Sequence, residues 1–326
     1  MQRVLTGIQS SGEIHLGNIL GAIYPALSLA KKAKGPAFFF IADLHSLTTQ
    51  ADGAGRQVST LEVAAAWLAC GLDTQQHCFY RQSHLAQVTE LAWYLSCFTS
   101  YPLLSRGHAF KTKAEDLGQV NVGLFTYPIL QAADIALYDA THVPVGRDQA
   151  QHLEMCRTMI KAFNRQYGEL LVVPETMIAE DVPTVPGTDG RKMSKSYGNI
   201  INPFWAEKRL KKAIMRIQTD SKGVAEVKGP STCPVFALYK LVAAREQVEA
   251  MRAYYLGGNY GYSQAKTALY EAMMVRFAEE SAAFQKYTKH PALVEEKLRQ
   301  GEAKAAAIAR KTLQRVRKRL GYGAGL

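Results

Sequence analysis

The sequence has little cysteine, and its few cysteines are not spaced as metal ligands. Five cysteines occur among 326 residues, and no two of them are three positions apart, so no CxxC pair is present. The eight histidines do not complete a zinc pattern with them. We therefore expect reduced thiols, without disulfides, an iron–sulfur cluster or a protein-bound metal, as is typical of a cytoplasmic protein. The five positions are Cys70, Cys78, Cys97, Cys156 and Cys233.

Long apolar runs are also missing from the sequence. No segment approaches the ~20 consecutive apolar residues that a membrane-spanning helix needs. The N-terminus lacks a basic stretch followed by a long apolar run, so we expect no signal peptide. Both observations predict a cytoplasmic protein that has no membrane segment.

Acidic residues are scarce relative to basic ones. The chain has 28 Asp and Glu against 39 Lys and Arg, which gives a formal net charge of +11. Such an excess favours a polyanionic partner, either a nucleic acid or a nucleotide, although charge that serves only solubility is the alternative. Hydrophobic residues make up 48% of the chain, which suffices for a sizeable core and excludes a disordered protein.

The chain up to residue 198 alternates short apolar strands with amphipathic helices. This alternation predicts an α/β fold with an open parallel sheet, whose ligands bind at the carboxyl ends of the strands. The predicted strands are residues 3–8, 37–43, 77–82 and 141–146, and the predicted helices are residues 18–33, 56–70, 88–98 and 148–168.

Beyond residue 198 the strand signals fade, and the sequence becomes helical and rich in lysine and arginine. A loop that contains several prolines and glycines, residues 181–199, separates the two parts. We therefore predict two domains, an α/β domain over residues 1–198 and an all-helical domain over residues 199–326. The predicted helices of the second domain are residues 205–218, 262–290 and 293–320.

A glycine turn opens the chain in the stretch GIQSSGEIHLGN, residues 7–18. Gly7 and Gly12 have the spacing of a phosphate-binding P-loop, but Glu13 and Ile14 stand where that loop needs Lys and Ser or Thr. A helix start follows at once, where free N–H groups and the helix dipole attract phosphate. We interpret the stretch as a phosphate site that also uses His15, the alternative being a polar helix start with a packed histidine.

The string KMSKS, residues 192–196, lies in the glycine-flanked loop. Two lysines three positions apart, together with two serines, suit a pyrophosphate whose negative charge grows as its bond breaks. The flanking glycines suit a loop that closes on a substrate. The alternative is a solvated basic loop, which is the usual meaning of a short run of charge.

The stretch YPILQAADIALYDATHVPVGRDQAQH, residues 127–152, contains an acidic residue in an apolar helix. A buried carboxylate such as that of Asp134 is costly unless it has a partner. It could cap a neighbouring helix, pair with an arginine, or accept a hydrogen bond from a substrate. The strand that follows ends at Gly146, where Asp148 and Gln149 open a helix at a position suited to a ribose or an amino group.

Together, HLGN and KMSKS resemble the HIGH and KMSKS signatures of the class I aminoacyl-tRNA synthetases. With IADLHSLT (41–48), YPILQAADIALY (127–138) and VPVGRDQAQHLE (143–154), the chain resembles the bacterial and mitochondrial tryptophanyl-tRNA synthetases over most of residues 4–199. This resemblance implies a Rossmann-like catalytic domain that activates tryptophan with Mg-ATP. It also implies a helical domain that reads the anticodon of tRNA(Trp), and a homodimer for which the helix LAWYLSCF (91–98) is a candidate interface.

The resemblance also assigns site residues. His15, Lys111, Lys192 and Lys195 would act on the phosphates. The expected ATP-binding residues are Gln9, Ser10, Ser11, Gly17, Asn18, Gly146, Arg147, Asp148, Val185, Lys192, Met193, Ser194, Lys195 and Ser196. The expected tryptophan-binding residues are Asp134, which would accept the indole N–H, together with Tyr127, Gln149, Gln131, His45 and Gly7. Arg147 and Gln131 depart from the family pattern, which commonly has an acidic residue or Lys at the first position and Met at the second.

Three competing interpretations stay open at this point. A tyrosyl-tRNA synthetase shares the fold and signatures, and its carboxylate would face a phenol. A small-molecule nucleotidyltransferase would not need KMSKS followed by a long basic helical region. A synthetase paralogue with altered activity would keep the motifs.

Overall fold

The computed structural model describes residues 2–33, 35–49, 52–107, 121–145, 150–178 and 184–323. Within these residues the first part of the chain forms a parallel sheet of five short strands. Strand β1 pairs with β2 and β2 with β3, while β4 pairs with β5, all in parallel. A bridge between Val4 and His142 joins the two groups, so the order is β3-β2-β1-β4-β5. The strands are β1 Leu5–Ile8, β2 Phe38–Ile41, β3 Cys78–Arg81, β4 His142–Val145 and β5 Glu175–Ile178.

This arrangement confirms the predicted parallel α/β fold, and four of its strands lie inside the predicted ranges. Strand β5 was not predicted, because its four residues carry no long apolar run. Strand β2 reads FFFI and is buried on both faces, as a central parallel strand must be.

Helices cover the sheet and connect its strands. The first helical segment begins at Leu16, runs through a π-helical turn over Ile19–Ile23, and continues as a regular helix. A π-turn of this kind often accompanies a functional site. The helices of this part are α1 Leu16–Asn18, α2 Tyr24–Lys32, α3 Asp43–Ser46, α4 Gly53–Ala69, α5 Gln87–Cys97, α6 Tyr101–Ser105, α7 Val122–Leu137 and α8 Ala150–Tyr167.

The second part of the chain is helical, as predicted. The single helix expected over residues 262–290 was wrong, because the structure divides it at Phe277, whose φ of −111° and ψ of 17° are not helical. The helices here are α9 Glu207–Met215, α10 Pro234–Val242, α11 Arg245–Gly257, α12 Tyr262–Arg276, α13 Ala278–Lys289 and α14 Pro291–Arg319.

The core lies on both faces of the sheet, because alternate strand residues point to opposite sides. Phe39 and Ile41 face a cluster that contains α2 and α4 and extends into the buried residues of α9–α13. Phe38 and Phe40 face a second cluster, which contains α5, α7, α8 and the second half of α14. Both clusters therefore join the sheet to the helical part of the chain.

Helix α14 packs against β3, the last strand on its side of the sheet. A Cβ atom added to Gly301 would lie only 1.8 Å from the carbonyl oxygen of Phe79, so the helix and the strand meet at a glycine. Arg81 at the end of β3 pairs with Glu295 and Glu302 of the helix, at 2.8 and 2.7 Å. These contacts cover a strand edge that would otherwise expose unpaired backbone groups.

Three of the basic residues that crowd α14 fasten it to the first part of the chain. Arg315 pairs with Asp139 at 2.7 Å, Arg317 pairs with Glu90, and the Lys304 ammonium donates to the carbonyl of Thr74. The remaining basic side chains at the end of the helix are exposed, namely Arg310, Lys311, Lys318 and Arg319.

Within the described residues, no helix combines the length and the apolar character that crossing a membrane requires.

Candidate functional site

The loop that carries the first signature, residues 9–15, begins where β1 ends, and we call it the first signature loop. Gly7 lies on this strand, and a Cβ atom added there would lie 2.6 Å from the ring of Phe40 on the neighbouring strand. No larger residue fits without displacing that ring. Gly7 was predicted to line the tryptophan pocket. Its packing against Phe40 already explains why this position requires a glycine.

His15 and Asn18 form a reciprocal cap at the start of α1. Asn18 donates its backbone N–H to the imidazole Nδ1 at 3.3 Å, and its side-chain oxygen accepts the backbone N–H of His15 at 3.1 Å. Because Nδ1 accepts, the neutral ring carries its proton on Nε2, which can donate to a phosphate oxygen. Burial, with a smaller contribution from Lys195, lowers the pKa of His15 to about 4, so the ring is neutral near pH 7.

Gly17 brings the two signatures together. A Cβ atom on Gly17 would lie 2.9 Å from Nδ1 of His15 and 3.7 Å from Cβ of Met193. Glycine therefore lets the imidazole pack against the start of the helix and lets the KMSKS loop approach that helix.

Of the other predicted ATP ligands, Ser10 is buried, and its hydroxyl has no hydrogen-bond partner among the described residues. Such a group is a natural partner for a ligand, since buried polar atoms rarely lack one.

The KMSKS loop is held by hydrogen bonds on both sides. Met193 is 3% exposed, and its N–H donates to the carbonyl of Val185 at 2.8 Å. The side chain of Asn199 accepts the N–H of Ser194 at 2.8 Å and donates to the carbonyl of Lys192 at 3.1 Å. Val185, a predicted adenine contact, is itself 4% exposed within the hydrophobic core.

The two lysines of this loop lie in different environments. The ammonium of Lys195 donates to the carbonyl oxygens of Ser11 and Gly12, the latter at 3.2 Å, so it already lies on the first signature loop. Burial lowers the pKa of Lys195 to about 8 against the opposing effect of Glu62 and Glu13. The side chains of Lys192 and Ser196, in contrast, are exposed to solvent.

Glu13 links the first signature loop to the helical part of the chain. Its carboxylate accepts hydrogen bonds from the indole of Trp205 and from the Arg209 guanidinium, the latter at 2.8 Å. The Arg209 guanidinium also lies 3.9 Å from the centre of the Trp205 ring. Burial raises the pKa of Glu13, but these two hydrogen bonds outweigh it and leave the pKa below its usual value.

Asp134 lies on α7 and is 2% exposed, as the apolar sequence around it predicts. Within the described part of the chain, neither a helix cap nor an arginine satisfies it. One oxygen, Oδ2, accepts from Nε2 of His45 at 3.0 Å, and the side-chain amide of Gln82 donates to Oδ1 at 2.9 Å and to Oδ2 at 2.8 Å. Burial raises the pKa of Asp134, and the hydrogen bonds from His45 and Gln82 oppose that rise.

Sequence reasoning identified His45 but missed Gln82. Gln82 follows β3, and it meets Asp134 across 52 positions of sequence. A single polar residue after a strand gives no periodic signal. The one available signal was its position at the carboxyl end of a predicted parallel strand, where ligands bind.

Tyr127 lies on the same helix as Asp134, between two histidines. Its hydroxyl is 2.6 Å from Nε2 of His152, and its ring meets the imidazole of His45 edge to face at a centroid distance of 6.2 Å. Burial raises the pKa of Tyr127 to about 12, so the phenol is neutral. Gln131, three residues before Asp134 on this helix, is half-buried.

One contact joins the first signature loop to the surroundings of Asp134. The Gln9 side-chain amide donates to the carbonyl of His45 at 2.9 Å. The loop after β1 thus reaches the helix after β2, and both lie at the carboxyl edge of the sheet. The predicted residues Lys111, Gly146, Arg147, Asp148 and Gln149 lie outside the described residues.

The described part of this arrangement has cations, backbone groups and hydroxyls on one side, and a buried acceptor on the other. It suits a substrate that combines a polyphosphate with an apolar group bearing one hydrogen-bond donor.

Comparison with known proteins gives the same picture. Residues 1–278 match the family model described as tRNA synthetases class I (W and Y). A Tryptophan--tRNA ligase of Bordetella parapertussis is 43% identical over 332 residues, which is 99% of this chain and 73% of the relative. One of Xylella fastidiosa is 45% identical, over 91% of this chain and 70% of the relative.

A solved structure also matches the fold of this chain. The tryptophanyl-tRNA synthetase of Campylobacter jejuni, in complex with ADP and tryptophan, superposes with a TM-score of 0.92. It is 39% identical, and the match covers 98% of this chain and 100% of that one. The chain therefore belongs to the class I tRNA synthetases of the tryptophan and tyrosine family.

Proposed function

We propose that this chain is a tryptophan–tRNA ligase, which activates L-tryptophan with ATP and transfers it to the 3′ end of tRNA(Trp). The observation that carries this proposal is the buried carboxylate of Asp134, an acceptor in an apolar helix that is linked through His45 to Gln9 of the first signature loop. The names of the high-coverage relatives support it, as does the Campylobacter jejuni structure with ADP and tryptophan.

The reaction needs no protein nucleophile. The tryptophan carboxylate attacks the α-phosphorus of ATP, the bond to the β-phosphate oxygen breaks, and pyrophosphate leaves. A terminal ribose hydroxyl of the tRNA then attacks the acyl carbonyl, and AMP leaves. Such a reaction is accelerated by positioning and by stabilising the charge that grows on the leaving group.

Lys195 and His15 would supply that stabilisation. Lys195 is held on the first signature loop and carries a positive charge below about pH 8. His15 is neutral and offers its Nε2 proton. We assign Lys192, the other KMSKS residues and Gln9, Ser10, Ser11, Gly17 and Asn18 to ATP as well. Lys111, Gly146, Arg147, Asp148 and Val185 keep the ATP roles that the family resemblance gives them.

Magnesium enters this proposal as part of the ATP substrate. The ammonium groups, hydroxyls and backbone groups of the two signature loops suit phosphate oxygens, and the Glu13 carboxylate on the first loop is already paired with Arg209. Among the described residues no group of three or more His, Cys, Asp or Glu is placed to hold a metal. Bound with ATP, Mg²⁺ would neutralise part of the charge of the phosphates.

Asp134 would select tryptophan by accepting its indole N–H. Phenylalanine has no side-chain donor and would leave the carboxylate without this hydrogen bond. A site of this kind discriminates against such an analogue by a factor of about 10⁴–10⁵ in kcat/KM. Tyr127 and Gln149 would hold the ammonium group of the substrate, with His45, Gln131 and Gly7 beside the ring. A tyrosyl-tRNA synthetase is the second candidate, but the tyrosyl-tRNA synthetase structures from Archaeoglobus fulgidus and Aeropyrum pernix are only 19% and 17% identical to this chain.

The partners follow from the same proposal. The exposed basic end of α14 and the other lysines and arginines of residues 199–326 would contact tRNA. We propose a homodimer formed through α5, where Trp93 is 68% exposed. We also propose a cytoplasmic location and a boundary between the catalytic and helical domains at residues 198–199.

The test is amino-acid-dependent exchange between ATP and labelled pyrophosphate in the absence of tRNA. Tryptophan, tyrosine and phenylalanine are compared side by side. Exchange with tryptophan alone supports the proposal. Exchange with tyrosine overturns the substrate but keeps the mechanism, and no exchange with any of the three points to a paralogue with an altered activity.

A further inference from the structure

The side chain of Gln82 has no freedom to turn. It is 1% exposed, and its carbonyl oxygen accepts the backbone N–H of Leu44 at 3.2 Å. Its amide nitrogen donates to both oxygens of Asp134, at 2.9 and 2.8 Å. Reversing the amide would place its NH₂ group against the Leu44 N–H and its oxygen against the carboxylate, so both contacts would become repulsive.

The backbone around Gln82 is anchored on both sides. Arg81 is paired with two glutamates of α14, at 2.8 Å and 2.7 Å. The Ser83 N–H donates to the carboxylate of Asp43 at 2.8 Å, and its hydroxyl donates to the same carboxylate. The amide of Gln82 is therefore a fixed donor and not a side chain that adapts to its surroundings.

Three of the four lone-pair positions of the Asp134 carboxylate are occupied by protein donors. Among the residues that the structure describes, Oδ2 accepts from both Gln82 and His45, whereas Oδ1 accepts from Gln82 alone. One acceptor position is left, and it lies on Oδ1. If the carboxyl group were protonated, its O–H would face the N–H of the Gln82 amide, and two donors would meet. The contact with Gln82 therefore favours the ionised carboxylate.

We propose that Gln82 is a positioning residue for side-chain selection, which keeps Asp134 negatively charged and turned so that Oδ1 presents one open acceptor to an indole N–H. This inference rests on the proposed function, because it takes the role of Asp134 from there. Gln82 itself does not touch the substrate.

Removing Gln82 changes the balance that sets the protonation of Asp134. Burial raises the pKa of this carboxyl, and the negative charge of Asp43 adds to the effect. His45 and Gln82 oppose both. The other titratable groups near the carboxylate are neutral at working pH, namely Tyr80 on β3, Tyr138 after α7 and Cys156 on α8. Without Gln82, His45 is the one described side chain whose hydrogen bond still favours the charge.

The test compares Gln82→Met with the matched control Gln76→Met, an exposed glutamine in the turn before β3. Pyrophosphate exchange is measured with tryptophan and with benzothienylalanine, in which sulfur replaces the indole N–H, from about pH 6 to about pH 9. The ratio of kcat/KM for the two substrates reports the N–H contact, since their rings are nearly the same size. The KM for ATP is followed in the same assays.

For the wild type and the control we expect a strong preference for tryptophan at every pH. For Gln82→Met we expect the KM for tryptophan to rise about tenfold or more, as for the loss of a hydrogen bond to a charged group. The preference should fall by about tenfold at low pH and recover as Asp134 ionises at high pH. The KM for ATP should stay within about twofold, since the phosphate loops are untouched.

A preference that stays unchanged in Gln82→Met, or falls equally at every pH, overturns the inference and leaves the proposed function intact. A wild type that does not prefer tryptophan over the analogue overturns both. If Gln82→Met fails to fold by its circular dichroism melt, Gln82→Asn replaces it. Its shorter amide cannot reach Leu44 and Asp134 together, so the same pH-dependent loss is expected, and its absence contradicts the inference.

Discussion

On the amino-acid side of the site, Asp134 is 2% exposed and both of its oxygens accept hydrogen bonds from buried or half-buried side chains. On the phosphate side, Lys192 and Ser196 are exposed, and Lys195 lies on two backbone carbonyls. The difference matches the two tasks that we propose for these groups, the selection of the amino acid and the binding of the phosphates. Discrimination between ring systems requires a fixed acceptor that is costly to leave unpaired, whereas phosphate binding requires cations that can move onto a highly charged ligand.

The largest effect is expected on the amino-acid side. Asp134→Ala removes the buried acceptor, and we expect kcat/KM for tryptophan in pyrophosphate exchange to fall by about 10³-fold or more. The free energy of unfolding should also fall, by about 1–3 kcal/mol, because the buried amide of Gln82 loses its acceptor, so exchange is measured at a temperature at which the variant is folded. Normal tryptophan kinetics in a folded Asp134→Ala protein would contradict the assignment.

On the phosphate side, Lys195→Ala should slow exchange without changing substrate choice. Removing one preorganised donor to developing charge costs about 10²–10³ in kcat. The preference for tryptophan over tyrosine should be kept, because Asp134 and its partners are untouched. Lys208→Ala, an exposed lysine on α9, is the matched control and should leave exchange unchanged. Equal losses in the two variants would mean that general basic charge, and not the position of Lys195, is what matters.

The same lysine gives the site a pH limit. Its pKa of about 8 means that the free enzyme loses this charge as pH rises through that value. We expect kcat/KM for ATP to halve near pH 8 and then to fall about tenfold per pH unit. The Lys195→Ala variant should lack this decline. A profile of the wild type that stays flat to about pH 10 would contradict the assigned role of the lysine.

Much of this division could be predicted from the sequence. The strand–helix alternation, the glycine turn and the KMSKS loop are local patterns, and Asp134 stands out as a single charge in an apolar helix. What the sequence did not reveal is long-range: Gln82 as the partner of Asp134, and Trp205 as a partner of Glu13, 192 positions away. Such pairs depend on how layers pack, which no local periodicity encodes.

The covering of β3 by α14 is another feature that only the structure reveals. Gly301→Ala would bring a methyl group to 1.8 Å from the carbonyl of Phe79, so the helix must shift. We expect the free energy of unfolding to fall by about 1–3 kcal/mol, measured by urea denaturation. Gly257→Ala is the control, since a Cβ atom there meets nothing within 4 Å. Equal stability of the two variants would show that α14 can leave the strand at no cost.

The smallest effect is expected at Glu13, which joins the phosphate side to the helical part. Its carboxylate and the Arg209 side chain are partly exposed, at 40% and 56%. Exposed pairs contribute about 0–1 kcal/mol, so Glu13→Gln should change exchange rates by less than about threefold. A much larger loss would reveal that this contact, and not only Lys195, positions the first signature loop.

The most direct test of the account is pyrophosphate exchange by the wild type and Asp134→Ala, each with tryptophan and tyrosine. We predict exchange with tryptophan alone in the wild type, and its loss in the variant while ATP binding persists. Exchange with tyrosine, or tryptophan exchange that survives in the variant, would contradict the claim that a buried carboxylate selects the substrate.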